Sequence, residues 1–233
     1  MVLFKNGFEE GDYTAWTGTA GTPTIVHAPV HHGAHASETD NWGDYCYETL
    51  ADGGERYIFL AVEISVHAGA GNVNDFLGAK RASDSFEVFW VGYLDDLFSI
   101  KYRDVGAAWH TDTSDKSVVE GSYHTVKVWW KKNTAGGMKL WIDDVLEITA
   151  SETTCNADLG IYRFGNASMS TLSVHDIDCV CIDSADILAD PYDVAGVTVK
   201  KGSNLANTMT TMLNSKMLFS QCNRFPKLSL RQF

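Results

Sequence analysis

The stretch Ser122–Thr149 reads SYHTVKVWWKKNTAGGMKLWIDDVLEIT. In it Val126, Val128 and Trp130 alternate with Lys127, Trp129 and Lys131. After NTAGG, Met138, Leu140 and Ile142 alternate with Lys139, Trp141 and Asp143. A period of two gives each strand of a hairpin one core face and one outward face. Pairing Val128 with Ile142 and Trp130 with Leu140 gathers the apolar partners on one side. The same register sets Trp129 against Trp141, and Lys127 against Asp143, on the other.

Working outward, the same period recurs in Arg56–His67, Ser85–Leu94, Leu97–Asp104, Leu159–Phe164 and Ser170–Asp183. It is weaker in Leu3–Phe8, Thr24–Ala28, Ala34–Glu38 and Asp44–Leu50. Residues 1–190 show no good helical period. About eleven short strands punctuated by Gly, Asn, Asp and Ser predict an all-β, antiparallel two-sheet sandwich over residues 1–190. Residues 191–233 read as a basic tail. In it Gly196–Lys201 suggests a short strand. Leu205, Met209, Met212, Leu213 and Met217 give an amphipathic helix over Asn204–Phe219.

The chain has 233 residues, 45% of them hydrophobic and 12% aromatic, enough for a sizeable core. No apolar run approaches the ~18 residues of a membrane span. The opening MVLFKNGFEEGDY lacks the apolar stretch of a signal peptide. The expectation is a protein that stays in its cell or leaves without a cleaved signal. The net charge of −12 is unevenly spread. Residues 1–193 hold 12 Lys and Arg and all 30 Asp and Glu, whereas residues 194–233 hold six cations and no acid. Phosphates are repelled by such a body, which argues against nucleic acid as its partner. The tail is expected to dock on the acidic body of another copy, giving a homo-oligomer or larger assembly. The five cysteines (Cys46, Cys155, Cys179, Cys181, Cys222) have no metal-finger spacing and read as small buried hydrophobes, with a Cys46–Cys155 disulfide left open.

His124, Val126, Val128 and Trp130, followed by Leu140, Trp141, Ile142, Asp143, Asp144 and Val145, resemble the paired strands of laminin-G-like and concanavalin A-like jelly rolls. Met138 stands where that pattern has a Leu. Gly7–Thr19 with His31–Glu38 is similar to the opening of bacterial and phage jelly-roll modules, and His175–Asp183 to their closing strand. The resemblance covers residues 1–185 and implies a concanavalin A-like jelly roll. It also implies a structural calcium held by Glu9, the Gly11 backbone and Asp178, oxygen ligands of the kind calcium prefers.

Function is less legible. The E-x-D-x-E triad of glucanases with this fold is absent. So are the Q-I-H and Y-x-K-x-G patterns of alginate-lyase-like members, since Gln221 and Gln232 are the only glutamines. Tyr102 and Arg103 with His110 and His124 are the one constellation that could serve a divergent lyase. The histidines His27, His31, His32 and His35 read as a solvated loop lacking a complete ligand set. Trp16, Trp42, Tyr45 and Trp109 lie in loop-like segments and, with the Trp129/Trp141 pair, are candidates for contact with a glycan or partner. Trp90 and Trp130 read as core. The expectation is a non-catalytic, lectin-like binding or structural module of a virion or cell-surface assembly, with a polysaccharide lyase or glycoside hydrolase as the alternative.

Overall fold

The computed structural model describes residues 1–66, 73–132, 136–169, 173–186 and 191–192. The strand and helix expected between Gly196 and Phe219 lie outside the described residues.

Among the described residues fifteen strands form two antiparallel sheets. They are β1 (Val2–Asn6), β2 (Gly18–Ala20), β3 (Thr24–Val26), β4 (Ala36–Thr39), β5 (Tyr45–Gly53), β6 (Glu55–Val66), β7 (Val73–Lys80), β8 (Glu87–Leu94), β9 (Leu97–Arg103), β10 (Trp109–Ser117), β11 (Tyr123–Lys131), β12 (Gly137–Ile142), β13 (Val145–Thr149), β14 (Leu159–Met169) and β15 (Val174–Asp183). One sheet has eight strands in the order β13-β12-β11-β6-β15-β4-β3, with β1 also paired to β15. The other has seven, ordered β10-β9-β8-β7-β14-β5-β2. Ile58, Leu60, Val62, Val126, Val128, Trp130, Leu140 and Ile142 from the first sheet meet Phe89, Val91, Tyr93, Phe98, Ile100, Tyr162 and Phe164 from the second, all buried.

The decisive hairpin has the expected faces and a different register. Val128 pairs with Leu140, Trp130 with Met138 and Val126 with Ile142. The slip is two residues, and an even slip leaves every side chain on its expected face. Trp129 therefore stands opposite Lys139, and Lys127 opposite Trp141. The Lys127 ammonium lies 4.6 Å from the Trp141 ring and that of Lys139 5.5 Å from Trp129. Two lysine–tryptophan pairs replace the expected tryptophan pair. Asp143 leaves the ladder for a two-residue turn with Asp144, at φ 51° and 63°, which joins β12 to β13. Positive φ at both central residues suits a tight hairpin, and Asp tolerates it. There Asp143 accepts from the Thr125 amide at 3.0 Å and bonds His124 Nδ1 at 2.9 Å.

A second difference lies in β15. The ladder to β6 is interrupted between Asp178 and Cys181, with Cys179 at φ 56°. An extra residue in one strand reverses the alternation beyond it. Ile177, Val180 and Ile182 all face the intersheet core, while Cys179 and Cys181 join a second apolar cluster with Phe59 and Ala61. Strict alternation along the strand would put Asp178 on the core side with Val180 and Ile182; the bulge turns it out from the eight-stranded sheet, opposite Ala61. Tyr57, Tyr123 and Tyr192 pack against that second cluster. Cys46, Cys155, Cys179 and Cys181 are all buried, and Cys46 and Cys155 are free thiols, so no Cys46–Cys155 disulfide forms.

Candidate functional site

The outer face of the seven-stranded sheet is built in cross-strand rows. In one row Tyr47 pairs with Arg163, Arg163 with Gly78, Gly78 with Trp90, Trp90 with Lys101 and Lys101 with Thr111. The next contains Thr49, Ile161, Lys80 and Glu87, then Arg103 paired with Trp109. Directly opposite residues share a face, so both rows point away from the core that Phe89, Tyr102 and Tyr162 enter from the same strands.

Trp90 is the floor of this face. It is 3% exposed yet lies outside the intersheet core cluster. Its ring lies across Gly78, where a Cβ would overlap it; glycine is required here for the close approach. Around it the aromatic and cationic groups interleave. The Arg163 guanidinium lies 5.0 Å from the Tyr45 ring and 5.9 Å from Trp90. Tyr45 and Tyr47 are 6.2 Å apart. Trp109 has Arg103 at 4.3 Å and Lys101 at 5.2 Å. Glu87 is bound by Lys80 at 2.9 Å and faces Arg163 at 3.9 Å. Arg103 donates from Nε to the Glu87 carbonyl and from a terminal nitrogen to that of Ala107. These two rows thus hold four cations and one carboxylate.

The residues singled out in the sequence are dispersed. Trp16 is core: it is 6% exposed, stacks on Phe8 at 5.2 Å, and its Nε1 donates to Asn6. The segment around it is a loop, but one folded under the sandwich end. Trp42 is 74% exposed in the β4–β5 loop. Tyr45 and Trp109 belong to the face just described. Trp129 and Trp141 lie on the outer face of the other sheet, where Trp129 Nε1 donates to Glu55 at 2.9 Å. The lyase-like constellation is not assembled. Tyr102 is buried and bonded to Asp112, Ser151 and the Glu152 amide. His110 pairs with Asp104, and His124 lies in the eight-stranded sheet against Phe98. Arg103 points to the outer face. Arg163, Lys101, Lys80 and Tyr47 were not singled out by sequence, and Trp90 was read as core. Their available signal was alternation: Arg163 lies between Tyr162 and Phe164, and Lys101 between Ile100 and Tyr102.

Glu9 and Asp178 converge on one loop. Asp178 is fully buried; its Oδ2 accepts from the His31 and His32 amides at 2.9 Å, and its Oδ1 from Cys179 N at 2.6 Å. Burial pushes its carboxyl up, and these hydrogen bonds oppose the shift. Glu9 accepts from the Ala34 amide at 3.1 Å. Two carboxylates beside one loop suit a calcium corner in charge. The atoms facing them, however, are N–H donors, and among the described residues no group of three His, Cys, Asp or Glu is placed to hold a metal ion. The remaining ligands would have to be backbone oxygens, Gly11 among them. In the same loop His27 pairs with His35 at 4.6 Å and His31 with His32 at 4.5 Å. Among the described residues no helix is long and apolar enough to cross a membrane.

No protein-family model and no curated protein matches the chain. Solved structures do. The endo-β-1,4-glucuronan lyase of the fungus Trichoderma reesei aligns over 82% of this chain and 98% of its own, at 16% identity and TM-score 0.63. The cellulose-induced protein Cip1 aligns over 78% and 97%, at 15% identity and TM-score 0.59. The ligand-binding domain of botulinum neurotoxin serotype D, in complex with N-acetylneuraminic acid, aligns over 71% of this chain and 43% of its own, at 13% identity and TM-score 0.52. Identities this low establish architecture alone: the chain is an all-β, concanavalin A-like jelly-roll sandwich.

Proposed function

We propose that the outer face of the seven-stranded sheet binds a glycan, making the protein a lectin-like jelly-roll module. The observation that carries this reading is the group of aromatic rings, Tyr45, Tyr47 and Trp109 around the Trp90 floor, interleaved with polar groups on one sheet face. Aromatic rings bury apolar surface while their polar neighbours fix orientation, the combination that small-ligand sites use. The solved neighbours include a lyase of a polysaccharide and a domain with bound N-acetylneuraminic acid, which supports the class of ligand. A role in a virion or cell-surface assembly, with oligomerisation through residues 194–233, belongs to the same proposal. Comparing the solution mass of the full chain with that of a chain ending at Val194 tests it.

Calorimetry against a glycan panel tests the binding. Trp109→Ala and Tyr45→Ala are expected to weaken binding at least ~10-fold, the ~1.4 kcal/mol of one good contact. Trp42→Ala and Trp141→Ala should leave it unchanged. Loss on Trp141→Ala with none on Trp109→Ala would move the site to the other sheet.

One observation favours a second reading, a polysaccharide lyase. The Tyr45 ring lies 5.0 Å from the Arg163 guanidinium, with Tyr47 beside it, giving a potential base next to a cation that could stabilise the enolate of a β-elimination. Ultraviolet-absorbing unsaturated product released from a polyuronate, and lost in Tyr45→Phe or Tyr47→Phe, would establish it.

A further inference from the structure

We propose that this face selects acidic glycans and that Lys101 reads the carboxylate, an inference that rests on the glycan-binding reading above. The first argument is charge. Residues 1–193 carry 12 cations against 30 acids, so most of the surface repels a polyanion. The two rows around Trp90 reverse that balance, with Lys80, Lys101, Arg103 and Arg163 against Glu87. A cationic patch on an acidic body confines a polyanion to that patch.

The second argument is the state of each cation. Lys80 and Arg163 are committed to Glu87, and Arg163 also packs on Tyr45. Arg103 spends its donors on the Glu87 and Ala107 carbonyls. Among the described residues Lys101 has no ion pair and no hydrogen bond; its ammonium rests near Trp109. It stands directly across from Trp90 in the ladder, one strand in from the sheet edge. A sugar ring seated on Trp109 would cover this ammonium. A neutral sugar would strip its water and offer only hydroxyls in return. A uronate would offer a charge-assisted bond to a cation that no protein carboxylate has claimed. The other three cations brace the face, and Lys101 distinguishes acid from neutral.

The test uses the full-length protein and matched pairs: β-1,4-glucuronan and polygalacturonate, each against its own methyl ester, which keeps the backbone and removes the charge. Calorimetry at low salt should show at least one acid polymer bound ~10-fold or more tighter than its ester. The preference should shrink as ionic strength rises. Lys101→Ala should remove most of that preference, weakening the acid polymer far more than it alters binding of the ester. Lys101→Arg should keep it, and Trp109→Ala should weaken acid and ester alike. Equal affinity for acid and ester in the wild type, or a preference that survives Lys101→Ala, overturns the inference and leaves glycan binding standing. Binding of neither member of either pair, nor of any glycan in the wider panel, overturns the glycan-binding reading and this inference with it.

Discussion

Over β6 and β15 the outer face of the eight-stranded sheet lies under other parts of the chain, whereas that of the seven-stranded sheet holds Tyr45, Tyr47, Trp109, Lys101, Arg103 and Arg163 half-exposed around the buried Trp90. On the first, Phe59, Ala61, Cys179 and Cys181 form a second apolar cluster beneath Tyr123 and Tyr192. The Tyr123 hydroxyl donates to the Pro29 carbonyl at 3.1 Å, and that of Tyr192 to the Val180 carbonyl at 2.8 Å, tying the cover down. Beside it, Glu38, Asp176 and Glu63 stand in one cross-strand row. On the second face, the described residues form no such cluster. Strand alternation yields both faces alike. What separates them is which face the long-range loops settle on, and therefore which one is structural and which can meet a ligand.

That difference is broken or upheld most sharply at Asp178. Asp178→Ala removes the acceptor of the His31, His32 and Cys179 amides. Stranding buried donors costs about 1–3 kcal/mol each. We expect a loss of about 3–5 kcal/mol in urea unfolding. Lys101→Ala, on the other face, should change stability by no more than about 0.5 kcal/mol. Equal losses would mean that the two faces do not divide as described.

The calcium proposal sharpens the same corner. A cation held between Glu9 and Asp178 would add RT ln(1 + [L]/Kd) to stability, about 2.7 kcal/mol at a hundredfold excess over Kd. Chelator should then lower the melting temperature of calcium-loaded protein by several degrees, and Glu9→Ala should remove that sensitivity. Identical melting with and without chelator would leave the three amides as the sole partners of Asp178.

The fold was largely legible in sequence because its core strands are half-buried and alternate cleanly. The strands missed have physical reasons. β7 reads VNDFLGAK, where Asn, Asp and Gly break the pattern, and Phe76 and Leu77 both enter the core across an irregular step. β10 reads WHTDTSDKS and is polar on both sides because it is a sheet edge. β13 runs on from β12 without a visible break in sequence because the Asp143–Asp144 turn lacks the usual Asn-Gly. The site was less legible. Trp90 looks like core by hydrophobicity, and only Gly78 across the ladder, a pairing not visible locally, permits it to lie flat on the outer face. The outward face of Asp178 is equally hidden, because alternation alone points it inward and the one-residue bulge at Cys179 leaves no mark in composition.

Asp176 supplies a smaller effect on the covered face. Burial raises its carboxyl to about 6, and the charges of Glu38 and Glu63 add to the shift, while the Ser65 hydroxyl, bonded at 2.7 Å, opposes it. A carboxyl raised in the folded state holds its proton there more tightly than in the unfolded chain. Its contribution is therefore full below the unfolded value near 4 and lost as pH rises through about 6. Asp176→Asn keeps an oxygen for Ser65 and removes the charge. It should stabilise the protein at pH 7 by about 1–3 kcal/mol, with the gain fading toward pH 4. A gain that stays constant across that range would place its origin elsewhere than in titration.

The smallest effect tests the hairpin whose register differs from the one alternation alone suggests. The ladder puts Lys127 over Trp141 and Lys139 over Trp129, and separates the two tryptophans diagonally. A cation near an exposed indole contributes about 0.5–1 kcal/mol. In a double-mutant cycle, Lys127→Met with Trp141→Leu should therefore couple by about that amount, and Lys139→Met with Trp129→Leu by somewhat less, since its ammonium lies farther from its ring. A cycle between Trp129 and Trp141 should couple weakly, because neither ring is the other's direct partner. Each Trp129 variant also loses the indole donor to Glu55, a cost that appears in the single mutant and cancels in the cycle. Strong coupling between the two tryptophans, with none between either and its lysine, would restore the register in which Val128 faces Ile142. Because that register differs by two residues, the core face would be the same in both, and unfolding of core variants such as Val128→Ala could not tell them apart. Only the outward pairs carry the information, which is why this small energy is the one that decides the hairpin's register.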